Sequence, residues 1–118
     1  MAEKMPLDIL ERAVAVGGTY DYVETEQVPP GEIWCFQHYA FENETGARGV
    51  LRLFIGSKEV PIFLKEEQSP AADELVWDDA PLFVREGQKL GFRQTSCTAS
   101  DVLKLYATGY RLHGRFIE

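Results

Sequence analysis

Short runs of alternating apolar and polar positions fill most of this chain, and turn-forming residues interrupt them at regular intervals. Gly17-Gly18, Pro29-Pro30-Gly31, Asn43 to Gly46, Gly56-Ser57, Ser69-Pro70, Asp78 to Pro81, Glu86-Gly87, Thr95-Ser96 and Gly109 are the punctuation. The segments between them, about five to ten residues each and rich in Val, Ile, Phe, Tyr and Trp, have the composition and spacing of sandwich or barrel strands. The pattern predicts strands near 19–25, 32–42, 49–55, 58–64, 74–78, 82–84, 89–94, 101–108 and 110–117. The expected fold is all-β: an antiparallel β-sandwich, jelly-roll-like, with a short N-terminal arm or helix.

Two segments show which face is buried. In Val50 to Ile55, Leu51, Leu53 and Ile55 share one side while Arg52 points to the other; in Asp101 to Ala107, Leu103, Leu105 and Ala107 point in and Lys104 out. Period-two alternation of this kind marks a half-buried strand. The 32–42 segment differs, because strict alternation puts Ile33, Cys35, Tyr39 and Phe41 on one face and Trp34, Phe36 and Ala40 on the other. A strand apolar on both faces is either central in the sandwich or covered by a neighbouring subunit. Val28-Pro-Pro-Gly-Glu-Ile33 and Val84-Arg-Glu-Gly-Gln-Lys89 echo one another. Gly31 and Gly87 in these runs are expected to take positive φ at equivalent corners of the two halves.

The first residues follow another rhythm. Leu7, Ile9, Leu10, Ala13 and Val14 fall on helical spacing, with Asp8 as a start and Gly17-Gly18 as a stop. The chain therefore divides into an N-terminal arm over 1–18 and a β-sandwich domain over 19–118. A helix this short needs a surface to lie on. The alternatives are an arm reaching to a neighbour and a terminal helix or strand folded back on the sandwich.

At 118 residues a single globular domain is expected, with a core that needs no disulfide or structural metal. The formal net charge is −7, and it is unevenly distributed. Five basic residues face ten acidic ones over 1–64, one faces six over 65–79, and six face three over 80–118. Such a chain repels polyphosphate and lacks a Lys/Arg cluster, so no nucleic-acid partner is expected. No apolar run approaches the ~20 residues of a membrane helix, and the first residues do not read as a signal peptide. The expectation is synthesis in the cytoplasm and no membrane partner. Cys35 and Cys97, 62 residues apart, read as small buried hydrophobes.

Catalytic patterns are weak. Gly31, His38 and Glu42 give a partial echo of a cupin metal site, but Ala40 stands where the second histidine belongs, and His113 is the only other histidine. Ser96 and Cys97 sit in a polar loop, read as a flexible connection, without a Gly-x-Ser-x-Gly elbow. Phosphate-binding glycine motifs are absent from the sequence. Glu66, Glu67, Asp73, Glu74, Asp78 and Asp79 lack the spacing that closes a loop around calcium. Asn43-Glu44-Thr45 matches a glycosylation acceptor that carries no weight without export. Tyr20, Tyr22, Trp34, Tyr39, Trp77, Tyr106 and Tyr110 could stack on a sugar, although most alternate with residues expected inside and read as core or interface.

The run Glu26 to Gly46, with Val28-Pro-Pro-Gly31 leading to Trp34, resembles small β-sandwich proteins of tailed-bacteriophage particles. Leu75 to Asp78, Pro81 to Leu90 and Asp101 to Gly109 resemble the second half of that pattern. The resemblance spans about residues 20–112 and leaves the N-terminal stretch uncovered. It implies a non-enzymatic virion structural protein, a capsid decoration or cement protein that binds and stabilises the assembled shell. Its implied location is the capsid surface, and its implied partners are other copies of itself, as a trimer, and the major capsid protein or other virion proteins. No cofactor, metal or catalytic residue is expected. The interface residues expected are Leu7, Ile9, Leu10, Val14, Trp34 and Phe36. The alternatives are a carbohydrate-binding or tail/baseplate β-sandwich module and, less favoured, a cupin-like metal enzyme.

Overall fold

A computed structural model describes residues 2–45, 49–68 and 74–114. The strands are β1 (Ala2–Val14), β2 (Tyr20–Glu24), β3 (Glu32–Asn43), β4 (Val50–Gly56), β5 (Pro61–Gln68), β6 (Val76–Asp78), β7 (Leu82–Arg85), β8 (Lys89–Thr95) and β9 (Val102–Gly114). One sheet has the order β1-β9-β3, with β6 and β7 sharing the far edge of β3; the other is β2-β8-β4-β5. All pairings are antiparallel. Taking β6 and β7 as one interrupted strand, this is the eight-stranded jelly roll.

The core lies between the sheets. Trp34, Phe36, Tyr39 and Phe41 of β3 and Leu103, Leu105 and Ala107 of β9 meet Leu51 and Leu53 of β4, Leu90 and Phe92 of β8 and Val23 of β2. Phe41 and Phe92 touch across the middle, ring centres 5.3 Å apart. The inward sets expected of β4 and β9 are as the alternation requires.

β3 departs from strict alternation. Its register with β9 shifts between Phe36 and His38, leaving Gln37 as the extra residue of a bulge. The inward phase therefore changes from even (Trp34, Phe36) to odd (Tyr39, Phe41), as one inserted residue must cause. The second face is apolar at Ile33, which is half-buried, and at Cys35 and Ala40, which are buried by the chain itself. Cys35 lies between Phe83 and Tyr110, and Ala40 between Trp77 and Tyr106. A neighbouring subunit is not needed to cover this face. Gly109, expected to end a strand, instead continues β9 past the bulge. A Cβ there would lie 2.0 Å from the Cys35 carbonyl oxygen, so only glycine lets the two backbones come this close.

The expected N-terminal helix does not form. Residues 2–14 are a strand paired with β9 along its length, and Leu7, Ile9 and Ala13 pack against the core. The folded-back strand is thus the alternative that the structure adopts. The two echoing corners are also real: Gly31 (φ 79°) and Gly87 (φ 82°) turn the chain into β3 and β8, the central strands of their sheets. They lie side by side, with Gly31 N–H donating to Glu86 at 2.7 Å and Gln27 Nε2 to the Gly87 carbonyl at 2.9 Å.

The opposite end is tied by buried polar groups. Asp101 accepts from Thr98 N–H (3.0 Å) and Asn43 Nδ2 (3.1 Å), Asn43 also donates to Gln94, and Asp21 accepts from Val16 and Gly17 N–H. The Ser96–Ser100 loop is held here, with both of those serines left-handed.

Two outcomes follow from the packing. Gly109→Ala should cost about 3 kcal/mol by forcing the strands apart at the bulge, measured as a lowered urea midpoint. Deleting residues 1–16 strips Leu7, Ile9 and Ala13 from the core and exposes β9, so the truncated chain should lose its cooperative thermal transition in circular dichroism.

Candidate contact site

The sequence-predicted interface residues do not form one surface. Trp34 and Phe36 are only 6% and 1% exposed and belong to the core, which corrects their reading as contact residues. Leu7 and Ile9 face the same core, whereas Leu10 (61% exposed) and Val14 (52%) stand on the outside of β1. Among the seven aromatics read as core or stacking groups, only Trp34 and Tyr39 are core.

The cupin echo does not assemble. His38 stacks beside Trp77 (5.8 Å) on the outer face, Glu42 accepts from Tyr106 Oη (2.9 Å), and His113 lies at the far end of β9 beside Gly31. No three His, Cys, Asp or Glu side chains converge among the described residues. Of the acidic residues, Glu66 pairs with Arg52 and Asp78 with Lys65; Asp73 lies outside the described residues. Hydrogen bonds from Gln68 and then Arg52 hold the Glu66 carboxyl below its ordinary value. The Asn43 amide is buried in the polar network, not offered to solvent.

Both cysteines are free and buried. Burial, aided by Asp21 and Asp101, pushes the Cys97 thiol up to about 12. Burial also raises Cys35, opposed by a hydrogen bond with Tyr110 and by Lys4. Raised thiol values keep both residues neutral at ordinary pH, the wrong state for a nucleophile.

A built cluster of another kind occupies the outer face of the second sheet. Arg93 of β8 stands in register between Tyr22 of β2 and Arg52 of β4. Its guanidinium carbon lies 4.0 Å from the Tyr20 ring centre and 4.5 Å from that of Phe63. Phe63 faces this way because of a second bulge: the β4–β5 register jumps from Leu53 opposite Lys65 to Phe54 opposite Phe63, skipping Leu64. Beneath, Gly91 leaves room for the Phe54 ring, which would lie 2.8 Å from a Cβ there. Tyr22, Phe54 and Phe63 close the arrangement edge to face, with ring centres 6.2 and 6.3 Å apart.

No match for this chain is found among protein-family models, curated proteins or solved structures. The cluster's chemistry therefore has to be read from its own atoms. Arg52 is neutralised by Glu66 at 2.7 Å. Arg93 has ring faces and no carboxylate among the described residues, and its buried Nε finds no acceptor there. A recess of about 180 Å³, lined by Tyr20, Val50, Arg52, Arg93 and Thr95, opens beside it. That is smaller than the roughly 300–1,000 Å³ of small-molecule sites and suits a single acidic side chain. Each cation–π contact contributes about 0.5–1 kcal/mol and fixes the guanidinium in place.

The amino-acid sequence alone does not single out this cluster, because it joins four strands whose register is not written locally. The available signal was Gly91 inside an otherwise regular strand, which marks a close approach.

Native protein at pH 8 should leave Cys35 and Cys97 unmodified by iodoacetamide over an hour, and both should react in urea. Mass spectrometry of the intact chain reads the difference.

Proposed function

We propose that this chain is a non-enzymatic virion structural protein, a decoration or cement protein of a tailed-bacteriophage capsid, which holds neighbouring shell subunits together by non-covalent contact. The observation that carries the reading is the preformed Arg93 cluster: a positive, aromatic contact on an otherwise acidic molecule. Arg and Tyr dominate the binding energy of protein interfaces, and a side chain already locked between rings loses little entropy on docking. The jelly-roll fold and the resemblance of residues 20–112 to phage sandwich proteins support the same reading. Fold alone does not decide among capsid, lectin and cupin roles, which share this architecture.

In the proposed mechanism, Arg93 receives a carboxylate of the major capsid protein in the recess between Tyr20 and Arg52. Each contact is weak, and repetition over the lattice raises the avidity. Because the acidic sites are correctly spaced only in the assembled, expanded shell, binding stabilises that state by mass action.

A second reading, glycan binding at a tail or baseplate, is favoured by Trp77, 56% exposed beside His38. A glycan array with the isolated protein and its Trp77→Ala variant addresses it.

The test of the main reading is co-sedimentation with expanded shells of the phage that encodes the chain. Binding should saturate at a regular stoichiometry and raise the shell's melting temperature. Arg93→Ala should weaken it at least tenfold, a typical loss for an interface anchor, while the protein still melts cooperatively, its own melting temperature lowered by several degrees through the loss of two cation–π contacts. Wild-type protein that stays in the supernatant well above micromolar concentration would overturn the reading.

A further inference from the structure

The outer edge of β1 is a long strand edge that nothing covers among the described residues, since the first sheet begins with it. Which of its backbone groups are open follows from the ladder. The β1–β9 register runs without a break and extends to Ala15 opposite Asp101, where Ala15 N–H donates to the Asp101 carbonyl at 2.8 Å. The next β9 residue, Val102, turns its carbonyl the other way, accepting from Glu44 N–H on the β3 side. In an antiparallel ladder these directions alternate. Odd residues of β1 therefore bond to β9, and Lys4, Pro6, Asp8, Leu10, Arg12 and Val14 present their main chain to the open edge. Pro6 fits this phase, because its missing N–H falls where no β9 bond is lost.

Open edges invite further pairing unless the sequence blocks it. Here the charges are arranged to direct it. Asp8 and Arg12 flank Leu10 symmetrically, two residues to either side, on the solvent face. We propose that two copies of this chain pair antiparallel through β1, about a two-fold axis at Leu10, joining their first sheets into one. Asp8 then lies opposite Arg12 of the second copy, and Arg12 opposite its Asp8. Leu10 meets Leu10, and Pro6 meets Val14, covering the two most exposed apolar side chains of the strand. About eight main-chain hydrogen bonds form, with the two prolines at the ends of the paired stretch.

The neighbouring registers centred on an open-edge residue fare worse. Pairing about Asp8 sets Asp8 against itself and Lys4 against Arg12. Pairing about Arg12 opposes the two arginines. Pairing about Pro6 matches Lys4 with Asp8 but places both prolines, which cannot donate, at the centre. On the inner face of the favoured register Glu11 falls opposite Ile9, so no like charges meet directly. Like charges directly opposite destabilise a strand pair and opposite ones favour it.

This pairing deepens the self-association part of the proposed role and gives it two-fold, not three-fold, symmetry. Its test needs no shell. Sedimentation equilibrium of the full chain should give a dimer. Asp8→Arg and Arg12→Asp should each weaken dimerisation at least tenfold, and the double variant carrying both should restore it. An equimolar mixture of the two single variants should also pair, because each supplies the charge that the other lacks. Thermal melting of every variant checks that the monomer is folded. A trimer, a monomer at 100 µM wild type, or a double variant as weak as the singles would overturn the pairing. A dimer that binds no shell would instead sink the decoration role and leave the pairing standing, and a monomer that decorates shells would do the reverse.

Discussion

The inserted residue at Gln37 is the constraint on which the rest of this fold depends. β3 is the central strand of its sheet, and the bulge reverses its alternation half-way along. Without that reversal, the phase that buries Trp34 and Phe36 would carry His38 into the core and turn Tyr39 and Phe41 out. With it, four aromatic rings point inward, while His38 and Glu42 face outward. The bulge in turn depends on β9: the Cys35 carbonyl occupies the space of a side chain at position 109, so the bulge and Gly109 are one feature written in two strands.

The same device acts again in the second sheet. Skipping Leu64 returns Phe63 to the outer face, where it covers Arg93. Bulges re-aim side chains without changing the sheet around them. In this molecule one bulge fills the core and the other completes the contact cluster.

These two insertions also explain what could be read in the sequence and what could not. Turn residues and β-branched or aromatic runs are local, so most strands and the corner glycines Gly31 and Gly87 were legible. A bulge is a relation between two strands, and nothing in residues 32–42 announces it. Strict alternation therefore implied a second apolar face on β3 and an interface role for Trp34 and Phe36 that the structure does not allow. The N-terminal stretch failed for a different reason. Leu7, Ile9 and Ala13 fit period two, while Leu7, Leu10 and Val14 fit a helix; the open edge of β9 decides between them, and that edge lies about a hundred residues away. The Arg93 cluster was hidden for the same cause, since its members come from β2, β4, β5 and β8.

Charge sets the range over which any contact of this molecule can act. At −7, two copies repel, and salt confines that repulsion to separations within about a Debye length, about 8 Å at physiological salt. Attraction has to arise closer in, where fixed geometry counts more than total charge. Arg93 meets this requirement because ring faces hold it and no carboxylate among the described residues cancels it. Asp8 and Arg12 meet it differently, as opposite charges whose sum is zero and whose spacing alone carries the preference. Short-range complementarity on a like-charged background is what the proposed decoration role requires, since such a protein would stay dispersed until it meets correctly placed neighbours.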